Sequence, residues 1–207
     1  MNAVPRAGLF VGLIALIALV AFTVHTLTTP GHRLSGIPPG EKLPPFAAPL
    51  ALSDLYGAVN VATGPNQGQA GKVPACTVRE SRVLNICQEA EHDPVVLALF
   101  VDGSACTGVL PEMQQLKAEY PQVRFTAVAL KGERGALRKT IAKLHLSYPV
   151  GIDEEGVLAA LYGVASCPQV SFVLPGRTVQ SRALLVTPTL AELRRRVAAL
   201  VAAAHAG

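Results

Sequence analysis

The chain has no tryptophan, only four tyrosines and six phenylalanines among 207 residues, and charged side chains make up just 15% of it. Proteins that hold single-stranded nucleic acid combine a basic groove with aromatic platforms on which bases stack. Neither is present here. The net charge of +4 is scattered, and the one dense basic run, Arg194-Arg195-Arg196, falls inside the last predicted helix, where it reads as a solvated face. No nucleic-acid partner is expected. Histidine is also scarce: His25 lies in an apolar run, His32 in a Pro- and Gly-rich stretch, and none of the others stands at ligand spacing from a cysteine, so no metal site is expected. Cysteine is limited to Cys76, Cys87, Cys106 and Cys167.

What the chain does have is an uncharged stretch from Ala7 to Leu27. A run of roughly 20 apolar residues is long enough to cross a bilayer as a helix. It exceeds the apolar region of an ordinary signal peptide, and no small-x-small cleavage pattern stands before Pro30, so the stretch reads as an uncleaved anchor. Arg6 precedes it with no acidic neighbour, which by the positive-inside rule leaves the N-terminus cytoplasmic and the rest extracytoplasmic. The expected location is the cell membrane, with a single pass.

Thr28 to Gly40 is rich in Pro and Gly and reads as a linker. Glu41 to Ala62 carries Lys42-Leu-Pro-Pro-Phe-Ala-Ala-Pro-Leu-Ala-Leu52 and Tyr56-Gly-Ala-Val-Asn-Val61, Thr63 to Val73 reads as a surface loop, and Val78 to Ala90 as a short helix. Val95 to Val101 is an uninterrupted apolar run of strand length, the pattern of a strand buried on both faces. A helix from Pro111 to Tyr120 follows, with Met113, Leu116 and Tyr120 three and four apart. Then come a strand at Val123–Leu130, a basic amphipathic helix at Glu133–Leu146, a strand at Tyr148–Ile152 and a helix at Glu155–Tyr162. The chain closes with a strand at Gln169–Leu174, a Pro175-Gly176 turn, a strand at Thr178–Val186 and a helix from Pro188 to Ala204. Strands alternating with helices imply parallel βαβ units, and the closing hairpin adds an antiparallel edge.

The most informative tract is Tyr162-Gly-Val-Ala-Ser-Cys-Pro-Gln-Val-Ser-Phe-Val173, a helix end, a loop with a Cys-Pro pair and an apolar strand. Cis peptide bonds are essentially a proline phenomenon, and Pro168 is placed to hold one in this turn. The tract resembles the cis-proline loop of thioredoxin-fold proteins. Tyr148-Pro-Val-Gly-Ile-Asp-Glu-Glu-Gly156 extends the resemblance to membrane-anchored thioredoxins of the TlpA/ResA type and their redoxin relatives. The resemblance implies an α/β thioredoxin-like three-layer sandwich with an N-terminal β-hairpin extension over Glu41–Ala62, preceded by one transmembrane helix. The division is then an anchor at 1–28, a linker at 29–40 and a thioredoxin-like domain at 41–205, with an insertion at about 63–94.

Cys76 and Cys87 lie in one local segment in which nothing else resembles a redox site. They read as a structural disulfide stapling the insertion, an expected gain of a few kcal/mol on the chain-entropy account. Cys106 precedes a helix, where the dipole and free amides favour a thiolate, and this is where a thioredoxin fold keeps its Cys-x-x-Cys. The chain has instead Gly103-Ser-Ala-Cys106 and Cys106-Thr-Gly-Val109. Counting back from Leu110-Pro111-Glu112, which resembles the family's Leu-Pro-Glu, makes Cys106 the resolving thiol and puts Gly103 at the nucleophile's place. Counting forward from the strand puts the family's first cysteine near Ser104 or Ala105, so that a small indel makes Cys106 the nucleophile, the assignment favoured here because a lone thiol at an exposed helix N-terminus has reason to react.

Because the family's cis-proline loop packs against its cysteine motif, the resemblance implies that Cys167 lies close to Cys106 and that the two form the redox pair, with Pro168 shaping the loop. The implied function is thiol:disulfide exchange with a protein dithiol or disulfide partner, without a cofactor: Cys106 is expected to attack a partner disulfide, the cis-proline loop to hold the partner backbone, and Cys167 to resolve the mixed disulfide. The alternatives are a catalytically silent thioredoxin-fold binding module and a peroxiredoxin-like thiol peroxidase. The peroxidase motif Pro-x-x-x-Thr-x-x-Cys is absent, since Leu99 and Gly103 stand at its Pro and Thr positions.

Overall fold

The computed structural model describes residues 15–20, 36–103 and 105–206. Residues 1–33 and 34–207 form separate compact units. In the first, 15–20 are helical and exposed. Most of the anchor expected over 7–27, and residues 29–35 of the linker, lie outside the described residues. Among those described, no helix is long and apolar enough to cross a membrane.

In the second unit the described elements begin with β1 (Ala47–Pro49), β2 (Val83–Asn85), the one-turn helix α1 (Ile86–Glu89), β3 (Val95–Phe100), α2 (Val109–Glu119) and β4 (Arg124–Leu130). They continue with α3 (Arg134–Lys143), β5 (Val150–Asp153), α4 (Val157–Leu161), β6 (Gln169–Leu174), β7 (Thr178–Leu184) and α5 (Leu190–Ala206). Five strands form one sheet in the order β5-β4-β3-β6-β7. β3, β4 and β5 run parallel, with Val95 opposite Arg124 and Ala127 opposite Val150. β6 runs antiparallel to β3 and β7 antiparallel to β6.

β3 explains why helices cover both faces. All six of its residues are buried, and side chains alternate across a sheet. Val96, Ala98 and Phe100 join the core built with Leu110 and Met113 of α2, Leu137 and Ile141 of α3, and Leu193 and Val197 of α5. Val95, Leu97 and Leu99 join the opposite core, with Leu43, Phe46, Leu84 and Ile86 of the N-terminal extension, Leu158 of α4 and Tyr162. Burying a side chain of this size contributes about 1.5–3 kcal/mol. A sequence without tryptophan thus builds its two cores largely from aliphatic residues on a doubly covered sheet, the α/β sandwich expected.

The N-terminal extension differs from the hairpin expected over Glu41–Ala62. β1 meets Asn60 through an isolated bridge, with reciprocal backbone bonds of 2.8 and 3.0 Å between Ala47 and Asn60. Its continuous partner is β2, from the insertion. The helix expected over Val78–Ala90 is also corrected, to a strand followed by a single turn. Asn85 is the cause. Its Nδ2 donates to Ala75 O at 2.8 Å and Val78 O at 2.7 Å, and its Oδ1 accepts from Cys87 N at 2.9 Å, so the side chain caps α1 and holds the preceding residues out of helix. The extension is pinned to α3 by the two arginines that made this helix look basic. Arg134 Nη1 donates to Leu50 O at 2.8 Å, and Arg138 donates to Ala51 O and Ser53 O at 2.8 and 2.6 Å.

Candidate functional site

The C-terminal end of β3 leads through Val101 and Asp102 into a turn at Gly103. That glycine has φ +73°, in the left-handed region, and an added Cβ there would meet nothing within 4 Å. A short 3₁₀ turn, Ala105–Gly108, then delivers the chain into α2 and carries Cys106, whose side chain is buried at 9% exposure against the core. Beneath the start of α2, Tyr148 donates its hydroxyl to Leu110 O at 3.0 Å. Burial pushes this phenol well above its ordinary pKa, so it stays a donor.

The second half of the site is the loop between α4 and β6. Tyr162 closes α4 and is fully buried, with its ring edge-on to Phe46 at 5.9 Å between centroids and its hydroxyl donating to Pro44 O at 2.7 Å. Gly163 turns the chain with φ +58°. Val164, Ala165 and Ser166 then run outward to Cys167, which is joined to Pro168 by a cis peptide bond. Gln169 closes the base of the loop from a fully buried position, its Nε2 donating to Tyr162 O at 3.2 Å.

The two halves meet. Cys106 and Cys167, 61 residues apart in the chain, are joined as a disulfide with Cα atoms 5.3 Å apart, inside the 4.4–6.8 Å range such bonds require. Cys76 and Cys87 form the other disulfide, with Cα atoms 5.2 Å apart. Pro168, which follows Cys167, is buried, and no cysteine is free. Beside Cys167 lies a groove of about 270 Å³, lined mainly by apolar side chains including Val101, Leu130, Ala159 and Val164, with Lys131 at its edge. A larger concavity, about 540 Å³, is lined by Leu50, Ile141, Leu146 and Tyr148 and holds no cysteine. It has size but no reactive group. Among the described residues no three His, Cys, Asp or Glu side chains converge as a metal centre needs.

Sequence reasoning passed over the segment after β7. Leu185 O accepts from Ser166 Oγ at 2.6 Å, and Thr187 Oγ1 donates to Ala105 O at 3.4 Å, so this segment touches both cysteine-bearing loops. Thr187 also crowds Gly108, where a Cβ would come within 3.2 Å of its methyl group. Neither Ala165-Ser166-Cys167 nor Val186-Thr187-Pro188 holds a signal that could have revealed this, because the partners are 19 and 82 residues apart. Asp102 was also missed. Its Oδ1 is enclosed and has no hydrogen-bond partner among the described residues, four residues before Cys106.

Comparison with known proteins agrees with the geometry. No family model matches the chain. It is 31% identical over 77 residues to the thiol-disulfide oxidoreductase ResA of Oceanobacillus iheyensis, covering 36% of this chain and 40% of that protein. It is 31% identical over 99 residues to the soluble secreted antigen MPT53 of Mycobacterium tuberculosis, covering 46% of this chain and 56% of that protein. The chain thus spans about half the length of the curated relatives it matches. A crystal structure of a Chlorobium tepidum protein assigned as the thiol:disulfide interchange protein DsbE superposes with a TM-score of 0.60 at 19% identity, over 79% of this chain and 98% of that one. The chain has a thioredoxin-like fold with disulfide-forming cysteines, and it is similar to ResA-type thiol-disulfide oxidoreductases.

Proposed function

We propose that the protein is a membrane-anchored, extracytoplasmic thiol:disulfide oxidoreductase that exchanges electrons with a protein dithiol or disulfide through the Cys106–Cys167 bond. The observation that carries this reading is the bond itself. It joins the helix-opening turn to the cis-proline loop and stands beside an apolar groove, so a single disulfide across the fold takes the place of a vicinal pair. The stretch from Ala7 to Leu27 serves as the anchor. Exchange requires an attacking thiolate, an in-line disulfide and a stabilised leaving thiolate. The groove admits the partner, the bond supplies the reacting sulfurs, and the amides at the start of α2 stabilise a thiolate on Cys106.

The test is a titration of the full chain with a small dithiol, followed by alkylation and peptide mapping. The Cys106–Cys167 bond is expected to open under mild reductant and to exchange with an added protein dithiol. Cys106→Ser removes net dithiol–disulfide turnover, whereas Cys76→Ser retains it. No exchange by the unmodified protein would overturn the oxidoreductase reading and leave an anchored binding module.

A further inference from the structure

We infer that Cys167, and not the helix-borne Cys106, is the sulfur at which a partner attacks and to which it becomes linked. This rests on the exchange activity proposed above and assigns roles within it. The two sulfurs of one disulfide are alike until their surroundings are compared, and here the surroundings are unequal.

Cys106 is buried at 9% exposure in the turn that opens α2, sharing the core with Val109, Leu110 and Met113. Cys167 is half-buried at the end of an outward loop whose preceding residues, Ala165 and Ser166, are exposed, and it forms part of the wall of the 270 Å³ groove. A thiolate entering that groove therefore reaches Cys167. The turn at Gly103 points the same way. Counting from Leu110-Pro111-Glu112, this is the position at which an outward-facing attacking thiol would stand, yet it is an exposed glycine in a left-handed conformation, with no side chain. Cys106, three residues on, occupies the deeper position. The cis-proline loop supplies the accessible sulfur that the helix turn lacks.

A partner thiolate forms a bond to Cys167 Sγ while the Cys167–Cys106 bond breaks, and the electron pair leaves on Cys106. The leaving thiolate sits in the first turn before an eleven-residue helix, where N–H groups and the helix dipole favour negative charge, and a thiol of lower pKa leaves faster. The partner's second thiolate then attacks the partner's own linked sulfur and releases Cys167 as a thiolate. The partner dithiol loses two electrons and two protons, and the Cys106/Cys167 pair gains them. Run in reverse, Cys167 attacks a partner disulfide and Cys106 resolves the mixed species.

The experiment uses the oxidised full chain. It is exposed briefly to glutathione and quenched with acid, the liberated thiol is alkylated under unfolding conditions, and peptides are mapped. Glutathione is expected on Cys167 and the alkyl group on Cys106, with the Cys167 adduct in at least about tenfold excess. In a second arm, reduced Cys106→Ser and Cys167→Ser chains are offered oxidised glutathione. Cys106→Ser is expected to form the mixed disulfide at least about tenfold faster. Adducts that fall mainly or equally on Cys106, together with a Cys167→Ser chain that traps as fast or faster, would overturn the assignment while leaving exchange intact. A Cys106–Cys167 bond that neither glutathione nor a dithiol opens would overturn the exchange reading, and this assignment with it.

Discussion

The two disulfides occupy regions built on opposite plans. Cys76–Cys87 closes an 11-residue separation inside the insertion, where β2, α1 and the Asn85 side chain already hold the two sulfurs near each other. Cys106–Cys167 spans 61 residues and joins two loops at the C-terminal edge of β3, with the segment after β7 touching both. The local bond reinforces a segment that side-chain hydrogen bonds already define. The long-range bond depends on the whole sheet being assembled. By chain entropy the long-range bond also stabilises the fold more, so the bond that the proposed exchange would break is the one whose loss costs the fold more.

The largest effect expected from breaking this contrast is on stability. For separations of 61 and 11 residues, the double substitutions Cys106→Ala/Cys167→Ala and Cys76→Ala/Cys87→Ala are expected to lower the unfolding free energy by about 4 and about 3 kcal/mol. Urea titration checks both values. Equal losses, or the reverse order, would show that native-state contacts rather than loop closure set the difference.

A smaller effect is expected from Asn85→Ala. The side chain is buried and makes three hydrogen bonds within the insertion, so its removal is expected to cost about 2–3 kcal/mol. It should also speed reduction of Cys76–Cys87 under native conditions while leaving exchange at Cys106–Cys167 unchanged. An altered exchange rate would show that the two regions are coupled.

The smallest effect concerns pH. Burial raises the carboxyl pKa of Glu89, at the end of α1, against the opposing pull of Arg124. The folded state therefore binds this proton more tightly than the unfolded chain. Its contribution to stability is full below the unfolded pKa and is lost as pH rises through the raised folded value. Glu89→Gln should raise stability at neutral pH and remove that part of the decline, as read from urea midpoints across the acid range. An unchanged pH profile would remove Glu89 as its source.

Much of the scaffold was legible because its signals are local. The apolar run at Val95–Phe100, the spacing of Met113 and Leu116, and the Tyr162-Gly163 helix end each depend on neighbours a few residues away. The errors fell where a side chain overrode the backbone pattern. Asn85 turned an expected helix into strand and turn, and β1 found its continuous partner in the insertion rather than in its own hairpin. Leu185 and Thr187 were invisible for the opposite reason: nothing in their own residues reports a contact made only when the sheet closes.

By itself, the amino-acid order determined that four cysteines would fall into one local pair and two distant singles, that a proline would follow Cys167, and that apolar β3 would be covered on both faces. These follow from spacing and from hydrophobic periodicity, which act along the chain. Only the tertiary structure decided that Cys106 lies buried while Cys167 borders a groove. Exposure belongs to a side chain together with everything packed around it, and here those neighbours come from β3, α2, the cis-proline loop and the strand that ends at Leu184.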